Sequence, residues 1–316
     1  MIPIDVHVDI CVFYKIEALD VKTQKMRLLA DFFPNIMLNS GLNVLDTQAG
    51  WFNYCQVGTS DTAPSALQTS LQGWVAGTNT LWTTTVTGAE ATPPYYGSRQ
   101  KVFEFPEAVA AYNLNEVGVG WNDGSNPAIN SLVSRSLIVD INGVRTTPTW
   151  KIGEVLIVTA EMRYYPPLSD VTGTVDLNGV TYDYTLRASE ATSSSAWGSG
   201  IGDLMGQVSA IAADWRVYSG DISADITGLP AGTTADCDNA SQYNIDVPEQ
   251  YTVGMGCNCG PTGWNIVGGF QSLRFKTTAG NYQIQFDGPA GAKVPKTIDF
   301  TMFFQFNLTW AGKVIT

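Results

Sequence analysis

The C-terminal part of the chain alternates between apolar and polar residues, and this pattern constrains the fold more than any other feature. From Ile298 to Trp310 every second residue is apolar, whereas Asp299, Thr301 and other polar residues occupy most positions between them. Successive side chains of a strand point to opposite faces of a sheet. This period of two therefore predicts a half-buried antiparallel strand.

The same alternation occurs elsewhere, and turn residues separate further strand-like runs. Residues 4–14 and 153–165 alternate in the same way, so we predict a strand in each. The pairs Asn142-Gly143 and Asn178-Gly179 lie between apolar runs. Asn-Gly tolerates the positive φ of a tight turn, so each pair predicts a β-hairpin.

A division into domains is suggested by the pair Pro166-Pro167, which ends a long strand-like run. We predict an all-β protein with two antiparallel sandwich-like domains, 1–168 and 169–316, the second rich in loops. A few short helices are expected, one after Pro34 and one within residues 204–215.

Composition excludes several classes of partner. The chain has 44% hydrophobic and only 15% charged residues, and its net charge is −12. We therefore expect no nucleic-acid binding, which needs clustered Lys and Arg. No apolar run reaches the roughly 18 residues of a membrane helix, and no signal peptide is recognised, so no membrane insertion is predicted. The charge suits a soluble component of a particle.

The cysteines are few and scattered, which favours free thiols made in a reducing cytosol. They are Cys11, Cys55, Cys237, Cys257 and Cys259. Two alternatives remain open for Cys237, Cys257 and Cys259: a disulfide, or a zinc site with three thiolates.

Catalytic chemistry finds little support in the sequence. His7 is the single histidine, and it shares a predicted strand face with Asp5, Asp9 and Cys11. A metal on that face is an alternative to a merely polar surface, but adjacent positions of one strand rarely converge on one ion. No pair of acids has a spacing that favours glycan cleavage. We predict no enzyme activity, no cofactor and no metal.

The segment CQVGTSDTAPSALQTSLQG, residues 55–73, combines a strand, a glycine and a polar turn, as a phosphate-binding loop does. It has one glycine before the turn and no lysine, so the nucleotide interpretation is rejected. We expect instead that Ser60 or Thr62 caps a short helix, which Leu67 and Leu71 pin to a sheet.

Four aromatic residues of the second half could stack on a sugar or anchor a protein contact. These candidate receptor-binding residues are Trp197, Trp215, Tyr218 and Trp264. Core packing is the alternative for all four.

A serial pattern in the first half resembles virion proteins of tailed bacteriophages, namely minor tail, baseplate and tail-fibre components. The segments that carry it are FFPNIMLNSGLNVL, CQVGTSDTAPSALQTSLQG, VFEFPEAVAAYNLNEVGVGW and SRSLIVDINGVRTTPTWKIGEVLIVTAEMRYYPP, within residues 30–167. The C-terminal VPKTIDFTMFFQFNLTW is similar to the ending of such proteins.

The resemblance implies a scaffold and carries over no catalytic residue. The positions that it marks as a structural corner are Gly58, Pro64, Leu71, Glu116, Gly118, Gly120 and Arg135. Glu116 and Arg135 are either an ion pair that fixes this corner or two solvated charges.

The function expected from this resemblance is that of a tail-tip, baseplate or tail-fibre protein, made in the bacterial host cytoplasm and found in the virion. It would act in assembly and host attachment, as a homotrimer bound to other tail proteins, with a host surface receptor as a further partner. One alternative is a module that binds a host glycan or pilus. Another is a head decoration or vertex-fibre protein.

Overall fold

The structure is a computed structural model. It describes residues 4–45, 47–48, 50–121, 132–198, 215–236, 241–245, 251–277, 279–299 and 301–315, with only the backbone described for 241–245. Among these residues no helix is both long enough and apolar enough to cross a membrane.

Antiparallel strands make up most of the described chain, so the predicted all-β, sandwich-like fold with few short helices is confirmed. The first twelve strands are β1 (Ile4–Asp20), β2 (Lys25–Pro34), β3 (Ile36–Met37), β4 (Tyr54–Gly58), β5 (Trp74–Thr78), β6 (Val86–Ala89), β7 (Gly97–Glu104), β8 (Tyr112–Asn113), β9 (Glu116–Gly120), β10 (Leu132–Leu137), β11 (Thr149–Trp150) and β12 (Glu154–Tyr165). The others are β13 (Val171–Leu177), β14 (Val180–Ser189), β15 (Arg216–Tyr218), β16 (Thr234–Asp236), β17 (Ser241–Ile245), β18 (Thr252–Cys259), β19 (Ser272–Thr277), β20 (Gly280–Asp287) and β21 (Met302–Gly312).

Within the described residues, helical structure is limited to short pieces. The α-helices are α1 (Asn39–Leu42) and α2 (Ser194–Trp197), and a 3₁₀ turn covers Pro289–Gly291. The short helix predicted after Pro34 is α1. The side chain of Ser193 caps α2 by accepting a hydrogen bond from the amide of Ala196. The helix predicted within residues 204–215 lies outside the described residues except for Trp215.

The strands of the described part of the chain form four sheets. A five-stranded sheet has the order β3-β10-β9-β4-β5, and a six-stranded sheet has the order β13-β14-β20-β19-β15-β16. An eight-stranded sheet has the order β17-β18-β21-β1-β12-β7-β6, with β2 also paired to β1, and β8 pairs with β11.

The alternating segments are strands, but their bounds and burial differ from the prediction. β1 continues to Asp20, and β21 begins at Met302, so that Ile298 is exposed. In β12 both faces are buried, because Ile157 and Glu161 are covered as well as the predicted apolar face. A period of two identifies a strand, whereas the packing around it decides whether its second face meets water.

Both Asn-Gly pairs lie in turns, but only Asn178-Gly179 joins two paired strands, because a single bridge between Val139 and Arg145 flanks the turn at Asn142-Gly143. Asn178 and Gly179 have φ values of 55° and 77° and join β13 to β14, as a two-residue hairpin requires. Gly143 has a φ of 75° in a turn that the carboxylate of Asp140 closes by accepting from the amides of Asn142 and Val144.

The chain divides into two compact units, each assembled from three segments. Unit 1 comprises Met1–Asp9, Gly88–Gly97 and Tyr164–Trp310, and unit 2 comprises Ile10–Thr87, Ser98–Arg163 and Ala311–Thr316. The units are thus not consecutive along the chain. That residues 1–168 and 169–316 fold as two separate domains remains a prediction.

In unit 1, the apolar face of β21 packs against the six-stranded sheet through aromatic rings. The ring of Phe306 stacks on that of Phe275 with centroids 3.9 Å apart, and Phe304 lies 5.6 Å from Phe286. In unit 2, Tyr14 of β1 and Ser134 of β10 join the faces of two sheets by a hydrogen bond between their buried hydroxyls. Each unit therefore has its own core between sheets.

Candidate functional site: a buried ion pair that holds the 59–73 loop

The five-stranded sheet brings together segments that lie far apart in the sequence. Strand β9 pairs on one side with β10, which places Gly118 opposite Arg135. On its other side β9 pairs with β4, which places Glu116 opposite Gly58. Directly opposite residues point to the same face of a sheet, so these side chains share one face.

Two glycines make this face accessible to the charged side chains. A Cβ atom on Gly58 would lie 2.5 Å from Oε1 of Glu116 and 2.6 Å from the carbonyl oxygen of Gly73. A Cβ atom on Gly118 would lie 2.8 Å from the carbonyl oxygen of Ser134. Neither position has room for a side chain, and the missing side chain of Gly58 leaves the space that the Glu116 carboxylate occupies.

Glu116 and Arg135 form an ion pair with no solvent exposure. Nε of Arg135 donates to Oε2 of Glu116 over 2.8 Å, and both side chains are 0% exposed. Of the two alternatives that the sequence left open, an ion pair and two solvated charges, the structure shows the ion pair.

The remaining hydrogen-bonding groups of the pair bind the loop formed by residues 59–73. Glu116 accepts from the amides of Gln72, over 3.1 Å, and Gly73, over 2.6 Å. Arg135 donates to the side-chain oxygen of Gln68, over 2.8 Å, and to the carbonyl of Thr62, over 2.9 Å. A buried ion pair is tolerated only when its lone pairs and protons are satisfied, and the loop supplies those partners.

The predicted helix in this loop is wrong. Residues 59–73 contain a turn but no helix, and Leu67 is 81% exposed instead of pinned to a sheet. Arg135 and Glu116 engage the backbone groups of Thr62, Gln72 and Gly73, which a helix would need for its own ladder.

The other marked residues support the corner. Leu71 is buried with Leu38 and Leu132, against which Trp74 packs, and Pro64 is half-buried in the loop. Gly120 pairs with Leu132 on one side of β9 and with Tyr54 on the other. The structure therefore brings the marked glycines, Glu116, Arg135 and Leu71 to one sheet and its covering loop.

The four candidate receptor-binding residues are all buried in unit 1. Trp197 lies against the backbone of Gly97 and Gly280, where an added Cβ atom would come within 2.4 Å of it. The rings of Trp215 and Trp264 pack on the aromatic face of β21, and Tyr218 is also buried. A buried ring cannot offer its face to a sugar, so this placement favours core packing for all four.

The residues weighed for metal binding do not gather into a cluster of three. The ring of His7 hydrogen-bonds with Thr309 and Asp9, whereas Cys11 is buried. No group of three or more His, Cys, Asp or Glu side chains within the described ranges is arranged to hold a metal ion.

The expectation of free thiols is correct for three cysteines and wrong for one. Cys11, Cys55 and Cys257 are free and buried, but Cys259 is bonded in a disulfide. Cys237 lies outside the described residues. Burial raises the pKa of the Cys257 thiol to about 12 and that of Cys11 to about 11, because desolvation disfavours the thiolate.

A second buried charge was missed by the sequence analysis. The ammonium group of Lys296 is buried, and its three N–H groups are surrounded by four oxygens at 3.0 to 3.3 Å, those of Gly260, Pro261, Asn265 and Thr297. Desolvation lowers the pKa of this group. The VPKT motif was the available signal, since Lys296 is the lysine of that turn.

Comparison of the chain with protein-family models, curated proteins and solved structures gave no match.

Proposed function

We propose that the chain is a structural component of a tailed-phage virion, in the tail tip, baseplate or tail fibre, where it acts in assembly and host attachment. The observation that carries this proposal is the convergence of the phage-like segments. Four of the five strands in the five-stranded sheet, β3, β4, β9 and β10, come from these segments. The glycines and charged residues of these segments therefore belong to one sheet and the loop that covers it.

The chemistry of this architecture suits a scaffold. The side-chain hydrogen bonds of Arg135 and Glu116 described above join the two residues to each other and to the loop, so both side chains hold this loop in place. The outer end of the loop presents Leu67 to solvent from a fixed base. Rigidly held loops lose little entropy when a partner binds, which favours assembly.

The proposal includes self-association, with a homotrimer as the expected state, and binding to other tail proteins. A module that binds a host glycan or pilus is the alternative from another functional class. The burial of Trp197, Trp215 and Trp264 removes the ring faces that would have favoured it.

The test is to localise the chain in purified particles of the phage that encodes it. Antibodies raised against the purified protein are bound to intact particles and viewed by electron microscopy, with a known head protein labelled in parallel. Labelling at the distal tail is the expected result. Labelling of the head would support a decoration or vertex-fibre protein instead, and absence from the particles would refute a virion role.

A further inference from the structure

Within the part of the chain that the structure describes, two lysines are buried, and the ammonium group of each contacts the side-chain oxygen of an asparagine. Lys101 donates to Oδ1 of Asn53 in unit 2. In unit 1, Nζ of Lys296 lies 3.3 Å from Oδ1 of Asn265. Lysine is rarely buried unless its amine has a specific partner. Each contact places an amine, a nucleophile once it loses a proton, against the carbonyl group of an amide.

The amide group of Asn265 is held in a fixed position. Its Nδ2 donates to the carbonyl of Pro261 over 2.7 Å. The preceding residue, Trp264, is fully buried, and its amide donates to the carbonyl of Asp236 over 3.1 Å. Trp264 has a φ of 57°, a left-handed conformation that a bulky residue rarely adopts. Backbone strain of this kind persists only where the surrounding structure enforces it, and it is concentrated at functional sites.

The segment that carries Lys296 is fixed against the same loop. Phe270 and Val294 exchange backbone hydrogen bonds of 3.0 and 2.9 Å. The carbonyl oxygens of Gly260 and Pro261 each lie 3.2 Å from Nζ of Lys296. The fold therefore keeps the amine and the amide in contact. Reacting groups held in this way can reach effective concentrations of about 10⁵–10⁸ M, which makes an otherwise very slow reaction of an amide accessible.

Burial also makes the amine of Lys296 easier to deprotonate. The residue is 3% exposed, and desolvation lowers the pKa of its ammonium group. Lys296 and Asn265 both line a cavity of about 600 Å³, and this cavity reaches solvent at the exposed Val267 and Ile298. A desolvated lysine is activated as a nucleophile, because a larger fraction of it carries a lone pair. The cavity gives a released nitrogen a path to water.

We propose that Lys296 and Asn265 form an intramolecular isopeptide bond. Nζ of Lys296 attacks Cγ of Asn265, and the bond between Cγ and Nδ2 breaks. Two of the three protons of the lysine ammonium group end on the departing nitrogen, which leaves as an ammonium ion. The reaction consumes no oxidant, reductant or further reactant. The bond ties the loop after β18 covalently to the segment before β21, and this inference goes beyond the proposed function and does not depend on it.

The pair formed by Lys101 and Asn53 provides the comparison. Nζ of Lys101 lies 5.7 Å from the centroid of the Phe52 ring, and the face of an aromatic ring stabilises the ammonium form. Asn53 is exposed to water, whereas Asn265 is half-buried. We therefore expect Lys101 and Asn53 to remain joined by a hydrogen bond alone.

The test is the mass of the purified full-length chain, reduced and measured in denaturant by electrospray mass spectrometry. The wild-type chain is expected to be lighter than the mass of its sequence by one molecule of ammonia. Protease digestion followed by tandem mass spectrometry is expected to find the peptides of Asn265 and Lys296 joined through these two side chains. A wild-type chain with the full mass of its sequence, or without the joined peptides, would overturn the proposal.

Two matched variants locate the reaction. Lys296→Arg keeps a positive charge and hydrogen-bond donors but has no amine that can attack, so it is expected to have the full mass of its sequence. Lys101→Arg, the control at the other buried lysine, is expected to keep the loss of ammonia. The proposal would be overturned if the loss persisted in Lys296→Arg, as cyclisation at Asn142-Gly143 would produce, or disappeared only in Lys101→Arg. The wild-type measurement decides the question even where Lys296→Arg does not fold.

Discussion

The carboxylate of Glu116 lies in the space that Gly58 leaves by having no side chain, 2.5 Å from where a Cβ atom would be. The strand pairing sets this relationship, since the two residues are directly opposite each other in β4 and β9. The carboxylate is thereby held where it meets both Arg135 and the amides of the 59–73 loop.

Substitution of Gly58 by Ala should destabilise the protein. The added methyl group would collide with Glu116 and with the backbone oxygen of Gly73, so the loop or the ion pair must shift. We expect a loss of about 1–3 kcal/mol in the free energy of unfolding, measured by urea denaturation. Gly260→Ala is the control, because a Cβ atom there meets nothing within 4 Å. Equal stability of the two variants would contradict the steric clash expected at Gly58.

Removal of one partner of the buried ion pair should cost more. Arg135→Met leaves the Glu116 carboxylate buried without its counter-ion, and we expect a loss of about 3–5 kcal/mol. The matched control is Arg216→Met, which breaks an exposed pair with Asp236 and should cost at most about 1 kcal/mol. Both values are obtained from urea denaturation. A loss in Arg135→Met no greater than in the control would show that the pair is dispensable.

The same variant should loosen the 59–73 loop. Without the Arg135 guanidinium group, the carbonyl of Thr62 and the side chain of Gln68 lose their buried donor. Limited proteolysis followed by mass spectrometry should therefore find new cleavage within residues 59–73. Cleavage confined to other loops would mean that the ion pair does not hold this one.

The buried thiols should be inert in the native protein. Burial raises the pKa of Cys11 to about 11 and that of Cys257 to about 12, and it also raises the pKa of Cys55, so at neutral pH each thiolate is a negligible fraction. Iodoacetamide should leave all three unmodified at pH 7.5 and modify them in denaturant, as peptide mass spectrometry would reveal. Rapid labelling of the native chain would contradict their burial.

The ion pair between Asp170 and Arg187 should give a pH-dependent contribution to stability. The hydrogen bonds from Arg187 lower the pKa of Asp170 below its ordinary value. A lowered pKa in the folded state means that the contribution is present above the ordinary pKa of Asp and is lost as the pH falls through the folded value. Asp170→Asn should therefore lower the melting temperature at pH 7 and have a smaller effect at pH 3.

A matched variant checks that this effect comes from the pair. Arg187→Met should reproduce the pH dependence seen with Asp170→Asn, because each variant removes one of the two charges. An effect of Asp170→Asn that is equally large at both pH values would show that a feature other than the ionised carboxylate is responsible.

The sequence predicts strands and hairpin turns well where these depend only on neighbouring residues. The period of two identifies β1, β12 and β21, and Asn178-Gly179 identifies the β13–β14 hairpin, because side-chain direction and positive φ are properties of a few adjacent residues. The prediction of a helix in the 59–73 loop was wrong because the contacts that shape this loop are not local. Its backbone groups bind Glu116 and Arg135, which are distant in sequence.

The sequence by itself determined that this chain is an antiparallel β protein, and it identified Glu116 and Arg135 as candidates for a pair. Only the tertiary structure decided that they are paired and buried, that Trp197, Trp215 and Trp264 are interior, and that Lys296 is enclosed by carbonyl oxygens. Burial depends on which sheets pack face to face, and this depends on contacts between residues far apart along the chain.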